Sequence, residues 1–152
     1  MQLTRYTDYS LRVLMYLAVR PGRLATITEI SEAYGISRNH LVKVVHQLGG
    51  LGYIRTRRGK QGGIELGRPS REINIGAVVR DVEKTLDIVN CEDSACPILP
   101  VCNLKTAFLN ARNAFLDALD QYTLEDLTGS REFELNRLLT HDTDAGPSRA
   151  SR

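Results

Sequence analysis

Between Thr28 and Gly50 the chain sets two amphipathic segments on either side of a three-residue break, Tyr34-Gly35-Ile36. A break that short cannot separate two helices, so they must cross in contact, which is the helix-turn-helix arrangement. The first segment turns Ile30 and Ala33 inward. Thr26 and Glu29 have the spacing of a capping box, and Thr28 is an equally good cap. Gly35 can supply a left-handed C-cap. In the second segment Ser37 is the N-cap, Leu41, Val44, Val45 and Leu48 mark the buried face, and Gly49-Gly50 ends it. Its other face carries Arg38, Asn39, His40, Lys43 and Gln47, side chains suited to phosphates and base edges.

The flanking sequence extends this unit. Upstream, Leu11, Leu14, Met15, Leu17 and Ala18 keep a 3.6-residue period, which predicts a helix from Thr7 to Arg20 with Thr7 as N-cap and Pro21-Gly22 as its stop. Downstream, Tyr53-Ile54 and Ile64-Glu65-Leu66 read as short strands around RTRRGKQGG, a turn rich in cations and glycine. A basic hairpin directly after a helix-turn-helix reads as a β-wing, with Arg57, Arg58 and Lys60 placed for DNA. Charge agrees with this. Residues 1–69 hold 11 Lys/Arg against 4 Asp/Glu and the remainder 9 against 14, so a local +7 and −5 lie behind the net +2.

Asn74 is the expected cap of a helix from Ile75 to Leu86 that turns Val78, Val79 and Val82 inward. A long helix follows from Cys102 to Tyr122. Leu104, Phe108, Ala111, Phe115, Ala118 and Tyr122 are spaced 4, 3, 4, 3 and 4, the narrow seam of a helix that packs on a partner helix, so a homodimer is expected. The fold class is thus mainly α with a small β-wing: a winged helix-turn-helix domain plus a long dimerisation helix. The domain reading is 1–75 for DNA binding (helix-turn-helix about 28–51, wing about 52–67), 76–128 for the cysteine loop and dimerisation helix, and 129–152 for a C-terminal tail. That tail is expected to be largely disordered beyond 139, where the sequence turns polar.

All three cysteines fall in NCEDSACPILPVC, spaced Cys91-x4-Cys96-x5-Cys102. No signal peptide or membrane span is evident, which predicts a cytoplasmic protein whose thiols stay reduced. Paired C-x2-4-C zinc spacing is absent, and His40, His46 and His141 read as polar surface. Iron–sulfur clusters accept looser spacing, and Pro97 and Pro100 hold such a loop open. An iron–sulfur cluster is therefore expected ahead of zinc, a bare thiol cluster or a regulatory disulfide. With three thiolates, one ligand must come from another residue type. No nucleophile–base pair, phosphate loop or carboxylate pair points to an enzyme, and GKQGG lacks the P-loop pattern.

TDYSLRVLMYLA, ISEAYGISRNHLVKVVHQL, GYIRTRRGKQGGIELG and three cysteines before a long helix together resemble the bacterial winged-helix iron–sulfur regulators, across roughly residues 1–128. Within that family the chain is most similar to the nitric-oxide-sensitive repressors. Sister regulators of cluster assembly carry a histidine three residues after the last cysteine, where this chain has Lys105. The resemblance implies that Cys91, Cys96 and Cys102 hold a 2Fe–2S or 4Fe–4S cluster, one per subunit, with Asp8 of the other subunit as fourth ligand. Asp8 also suits a helix first turn on electrostatic grounds alone, and Arg12, four residues on, can hold it in place. It further implies that the dimer binds a near-palindromic double-stranded operator through Thr28, Ser37, Arg38, Asn39, His40, Lys43, Arg57, Arg58 and Lys60. Nitric oxide attack on the iron would then release the DNA. The readings kept beside it are a regulator of the same fold that senses iron–sulfur status or redox, and a zinc-stabilised protein-interaction module.

Overall fold

The computed structural model describes residues 2–92 and 95–140. Seven α-helices and one hairpin follow in order: α1 Arg5–Ala18, α2 Ile27–Tyr34, α3 Arg38–Gly50, β1 Ile54–Arg57, β2 Gly63–Leu66, α4 Ile75–Val82, α5 Asn103–Asp120, α6 Leu124–Thr128 and α7 Glu132–Leu139. The expected class, mainly α with a small β-wing, is what forms.

Helix boundaries follow local chemistry. The hydroxyl of Thr4 accepts from Thr7 N–H, so α1 starts two residues before the expected Thr7. Thr7 instead lies buried inside the helix. For α2 the capping box of Thr26 and Glu29 forms in both directions, at 3.2 and 2.6 Å, which settles the choice against Thr28. It ends at Gly35 with φ 65°, a conformation in which a side chain would be strained. Ser37 caps α3 as expected.

Strands β1 and β2 pair antiparallel with Arg55 opposite Glu65 and Thr56 opposite Ile64. Ala25 adds a third short rung on Ile64, with reciprocal bonds of 2.9 and 2.7 Å. Gly63 is fixed by that approach, since a Cβ there would stand 2.7 Å from the Ala25 carbonyl oxygen. This wing glycine serves the inner packing of the sheet.

The core joins α1, α2, α3, the hairpin and α4 through fully buried Val13, Leu14, Ile30, Leu41, Val44, Leu48, Ile73 and Val78. Each such side chain contributes on the order of 1.5–3 kcal/mol of burial. Leu124 at the start of α6 closes the core from below, and its N–H donates to the Ile73 carbonyl at 2.8 Å.

One expectation is corrected here. Helix α4 stops at Val82, four residues short of Leu86, because Glu83 leaves helical geometry (φ −74°, ψ 128°) and commits its carboxylate to α1. The segment after Gly129, read as tail, contains α7. Residues 141–152, including His141 and nearly all of the segment expected to be disordered, lie outside the described residues.

Candidate DNA interface and thiol centre

Helix α3 presents Arg38, Asn39, His40 and Lys43 to solvent, all exposed. Ser37 spends its hydroxyl on the cap and on the His40 ring, whose Nδ1 lies 3.2 Å away. Thr28 is half-buried in the first turn of α2. In the wing, Arg57 Nε donates to Glu65 at 2.9 Å, so it is already partnered across the hairpin. No ion pair is found for Arg58 or Lys60 among the described residues. Arg55 donates to the Gly67 carbonyl at 2.8 Å, so two of the four wing cations are held within the hairpin and Arg58 and Lys60 are exposed.

The recognition helix is fastened from behind by the first two turns of α1. Tyr6 donates its hydroxyl to the Lys43 carbonyl at 2.9 Å, and the Tyr9 ring lies 5.9 Å from that of His40. Asp8 lies between these tyrosines in sequence but on another side of the helix. Its carboxylate accepts from Arg12 Nε at 3.0 Å, as the i, i+4 spacing predicts. The Arg12 guanidinium in turn lies 5.7 Å from the Tyr34 ring at the end of α2. Burial pushes the Tyr34 hydroxyl up to about 12, with Arg12 acting in the opposite sense.

The end of α4 makes a second attachment. Thr4 N–H and Oγ1 donate to Glu83 at 3.2 and 3.1 Å, and Thr7 Oγ1 donates to the same oxygen. A carboxylate at the first turn of α1 also suits the helix dipole. Two residues earlier, Asp81 accepts from the Tyr53 hydroxyl at 2.6 Å, and its backbone carbonyl from Gln47 Nε2 of α3 at 3.4 Å. Burial first, then the bond to Asp81, pushes Tyr53 up to about 12, so it remains a donor at neutral pH. Tyr6, Tyr9, Asp81 and Glu83 were not foreseen from sequence. The one local hint is that Tyr6 and Tyr9, three apart, share a helix face.

The cysteine loop begins a few residues after Glu83. Cys91, Cys96 and Cys102 are half-buried, and none is in a disulfide. Cys96 and Cys102 bracket a tight turn, Leu99–Val101, in which Leu99 N–H donates to the Cys96 carbonyl at 3.2 Å. Cys91 lines a cavity of about 270 Å³ with Lys105, Phe108 and Arg112 of α5. Arg112 reaches back to Asp87 at 2.9 Å and holds the loop root against the helix. Three soft thiol donors without paired zinc spacing suit iron–sulfur ligation. Among the described residues no three of His, Cys, Asp or Glu are drawn together as a metal site. Asp8 and the cysteines thus form no such group within one chain.

Helix α5 turns Leu116 and Leu119 toward the body. Most of the expected seam is uncovered: Leu104 is 60% exposed, Ala111 and Ala118 are exposed, and Tyr122, two residues past the end of the helix at Asp120, is 49% exposed. Val101, just before the helix, is 80% exposed. No helix among the described residues is long and apolar enough to cross a membrane.

Residues 3–130 match the Rrf2 family, described as an iron-dependent transcriptional regulator. Over 136 residues the chain is 53% identical to the HTH-type transcriptional regulator NsrR of Bacillus subtilis strain 168, covering 87% of this chain and 93% of that protein. Its fold is similar to that of CymR, the global cysteine regulator of B. subtilis, with a TM-score of 0.69, 24% identity and coverage of 86% of this chain and 98% of that one. It is also similar to that of T. potens IscR, with a TM-score of 0.69, 23% identity and coverage of 86% and 88%.

Proposed function

The chain belongs to the Rrf2 family of transcriptional regulators, and from that membership we propose a DNA-binding repressor that holds an iron–sulfur cluster and loses operator affinity when nitric oxide attacks it. A regulator of this kind acts by binding, so the chain is a transcription factor and not an enzyme. In this reading Cys91, Cys96 and Cys102 hold one cluster per subunit, of 2Fe–2S or 4Fe–4S type, and Asp8 of the other subunit supplies the fourth ligand. Held by these residues, such a cluster would supply iron open to attack by nitric oxide.

The observation that carries this reading is the position of Asp8. It lies on the same two turns of α1 whose tyrosines hold α3, and Glu83, at the root of the cysteine loop, caps those turns. A pull on Asp8 moves the helix that carries Tyr6 and Tyr9. A shift of the loop root moves Glu83, and with it the start of the same helix. Both displacements reach the Lys43 carbonyl and the His40 ring, and so change how α3 is presented. In the homodimer, whose seam is α5, the bistable element is the placement of the two winged helices relative to each other. Two α3 helices then meet successive major grooves of a near-palindromic operator. Arg58 and Lys60 meet its backbone or minor groove, and Arg57 does so at the cost of its bond to Glu65.

The test is anaerobic. The protein is purified without oxygen, its visible spectrum recorded, and nitric oxide titrated while binding to a palindromic promoter fragment is followed. The expected result is a cluster chromophore that bleaches in step with loss of DNA binding. A colourless protein with one zinc per chain that binds DNA regardless of nitric oxide overturns the sensor.

A further inference from the structure

The outward stripe of α3 is polar except at one position. Arg38, Asn39, Val42 and His46 are exposed, and their spacing of one, three and four residues sets them on a single face. Val42 is the apolar member and is 50% exposed, while Leu41, Val44 and Val45 beside it are buried. Core packing does not explain it. Helix propensity does not either, since a β-branched residue on an exposed helix surface is worse than Ala, Lys or Gln. Val42 stands on the edge of an open groove of about 700 Å³ that Ile27, Ile54 and Thr56 line from the other side. Gly49 and Gly50, which end α3, complete its lining, and the space beside Gly50 is open, with nothing within 4 Å of where a Cβ would stand.

The partner that fits this position is set by its neighbours. Arg38, Asn39 and His46 are hydrogen-bonding groups of the kind that reach base edges and phosphates, and Arg55 adds a cation on the groove wall. In the major groove only one base presents an apolar group, the C5-methyl of thymine. Resting on the reading that α3 enters the major groove, we infer that Val42 reads a thymine methyl in each operator half-site. It is a specificity-determining residue, supplying the apolar contact that no other member of the stripe can make.

The experiment begins with duplexes enriched from a random pool by the cluster-loaded dimer under anaerobic conditions. In the enriched operator each thymine of a half-site is replaced singly by deoxyuridine, which removes the methyl and leaves base pairing intact. One position should lower affinity roughly fourfold, the worth of burying one methyl group. Val42→Ala, with an unchanged far-UV circular dichroism spectrum, should bind the thymine operator more weakly and be indifferent to uridine at that position. If no thymine-to-uridine change matters to the native chain, or if Val42→Ala keeps the same sensitivity, the inference is overturned. A chain that enriches no duplex at all overturns the DNA-binding reading and this inference with it. A chain that enriches an operator but ignores the methyl overturns this inference alone.

Discussion

Asp8 is held loosely enough to be given up. Its ion pair with Arg12 is close at 3.0 Å, yet both side chains are nearly half exposed, at 46% and 44%. An exposed i, i+4 pair of this kind contributes about 0.3–0.5 kcal/mol. In the proposed cluster-bound state the carboxylate would leave Arg12 at small cost, and Arg12 already has the Tyr34 ring 5.7 Å away. Asp8→Ala is expected to leave the melting temperature of the metal-free chain within a few degrees of native, but to weaken or alter the visible spectrum of the cluster and its response to nitric oxide. Unchanged spectra and response would remove Asp8 from the site. The Asp8–Arg12 contact and the cysteines were legible in the sequence, because helical spacing and residue type are local signals. Glu83 was not. Its carboxylate meets Thr4 and Thr7, separated from it by 79 and 76 positions, and no local pattern encodes a meeting at that range.

At the scale of elements, the same contrast explains why α4 ends early. Periodicity carries the apolar pattern on to Leu86, but a tertiary bond at Glu83 stops the helix at Val82. What keeps α4 on α5 is equally non-local. Arg80 donates two bonds to the Asp120 carboxylate, at 2.6 and 2.7 Å, and Asn74 Nδ2 donates to the Asp120 carbonyl at 2.8 Å. Gly76 leaves room for this arrangement, since a Cβ there would overlap the Asp120 carboxylate. The hydrogen bonds from Arg80, foremost, hold the Asp120 carboxyl below its usual range, against a smaller opposing effect of desolvation. The folded value is thus depressed relative to the unfolded one. Such a group stabilises the fold above the ordinary carboxylate value near ~3.9 and stops doing so as pH falls through its lower folded value. Thermal unfolding of the native chain and of Asp120→Asn should therefore differ at pH 6 and converge as the pH is taken down below about 4. A difference in melting temperature that stays constant across that range would mean that Asp120 acts through shape and not through charge.

At the scale of the molecule, the seam of α5 is where a single chain is unfinished. Its 4, 3, 4, 3, 4 spacing was visible in the sequence. What the fold adds is that the side occupied by Leu116 and Leu119 is spent on the body while the seam stays largely open. An amphipathic stripe read from sequence cannot distinguish these two outcomes, because it does not say which face the rest of the chain will cover. An apolar row along a helix of 18 residues, about 27 Å long, is a large surface to leave in water. A second copy offers the same row, and small Ala111 and Ala118 let two helices come close. Ala111 is exposed within one chain, so a charge there does not disturb the monomer's own core. Ala111→Glu places two like charges across the seam in a dimer. It is expected to shift the chain to monomer in sedimentation velocity at micromolar concentration, with its far-UV spectrum unchanged. Binding to a two-half-site operator should then fall by more than tenfold, since each half-site must be held without the linkage that makes the second binding event intramolecular. Binding to a duplex with one half-site should change little, because α3 and the wing are untouched. A variant that sediments as a dimer and binds both duplexes as the native chain does would place the dimer interface elsewhere.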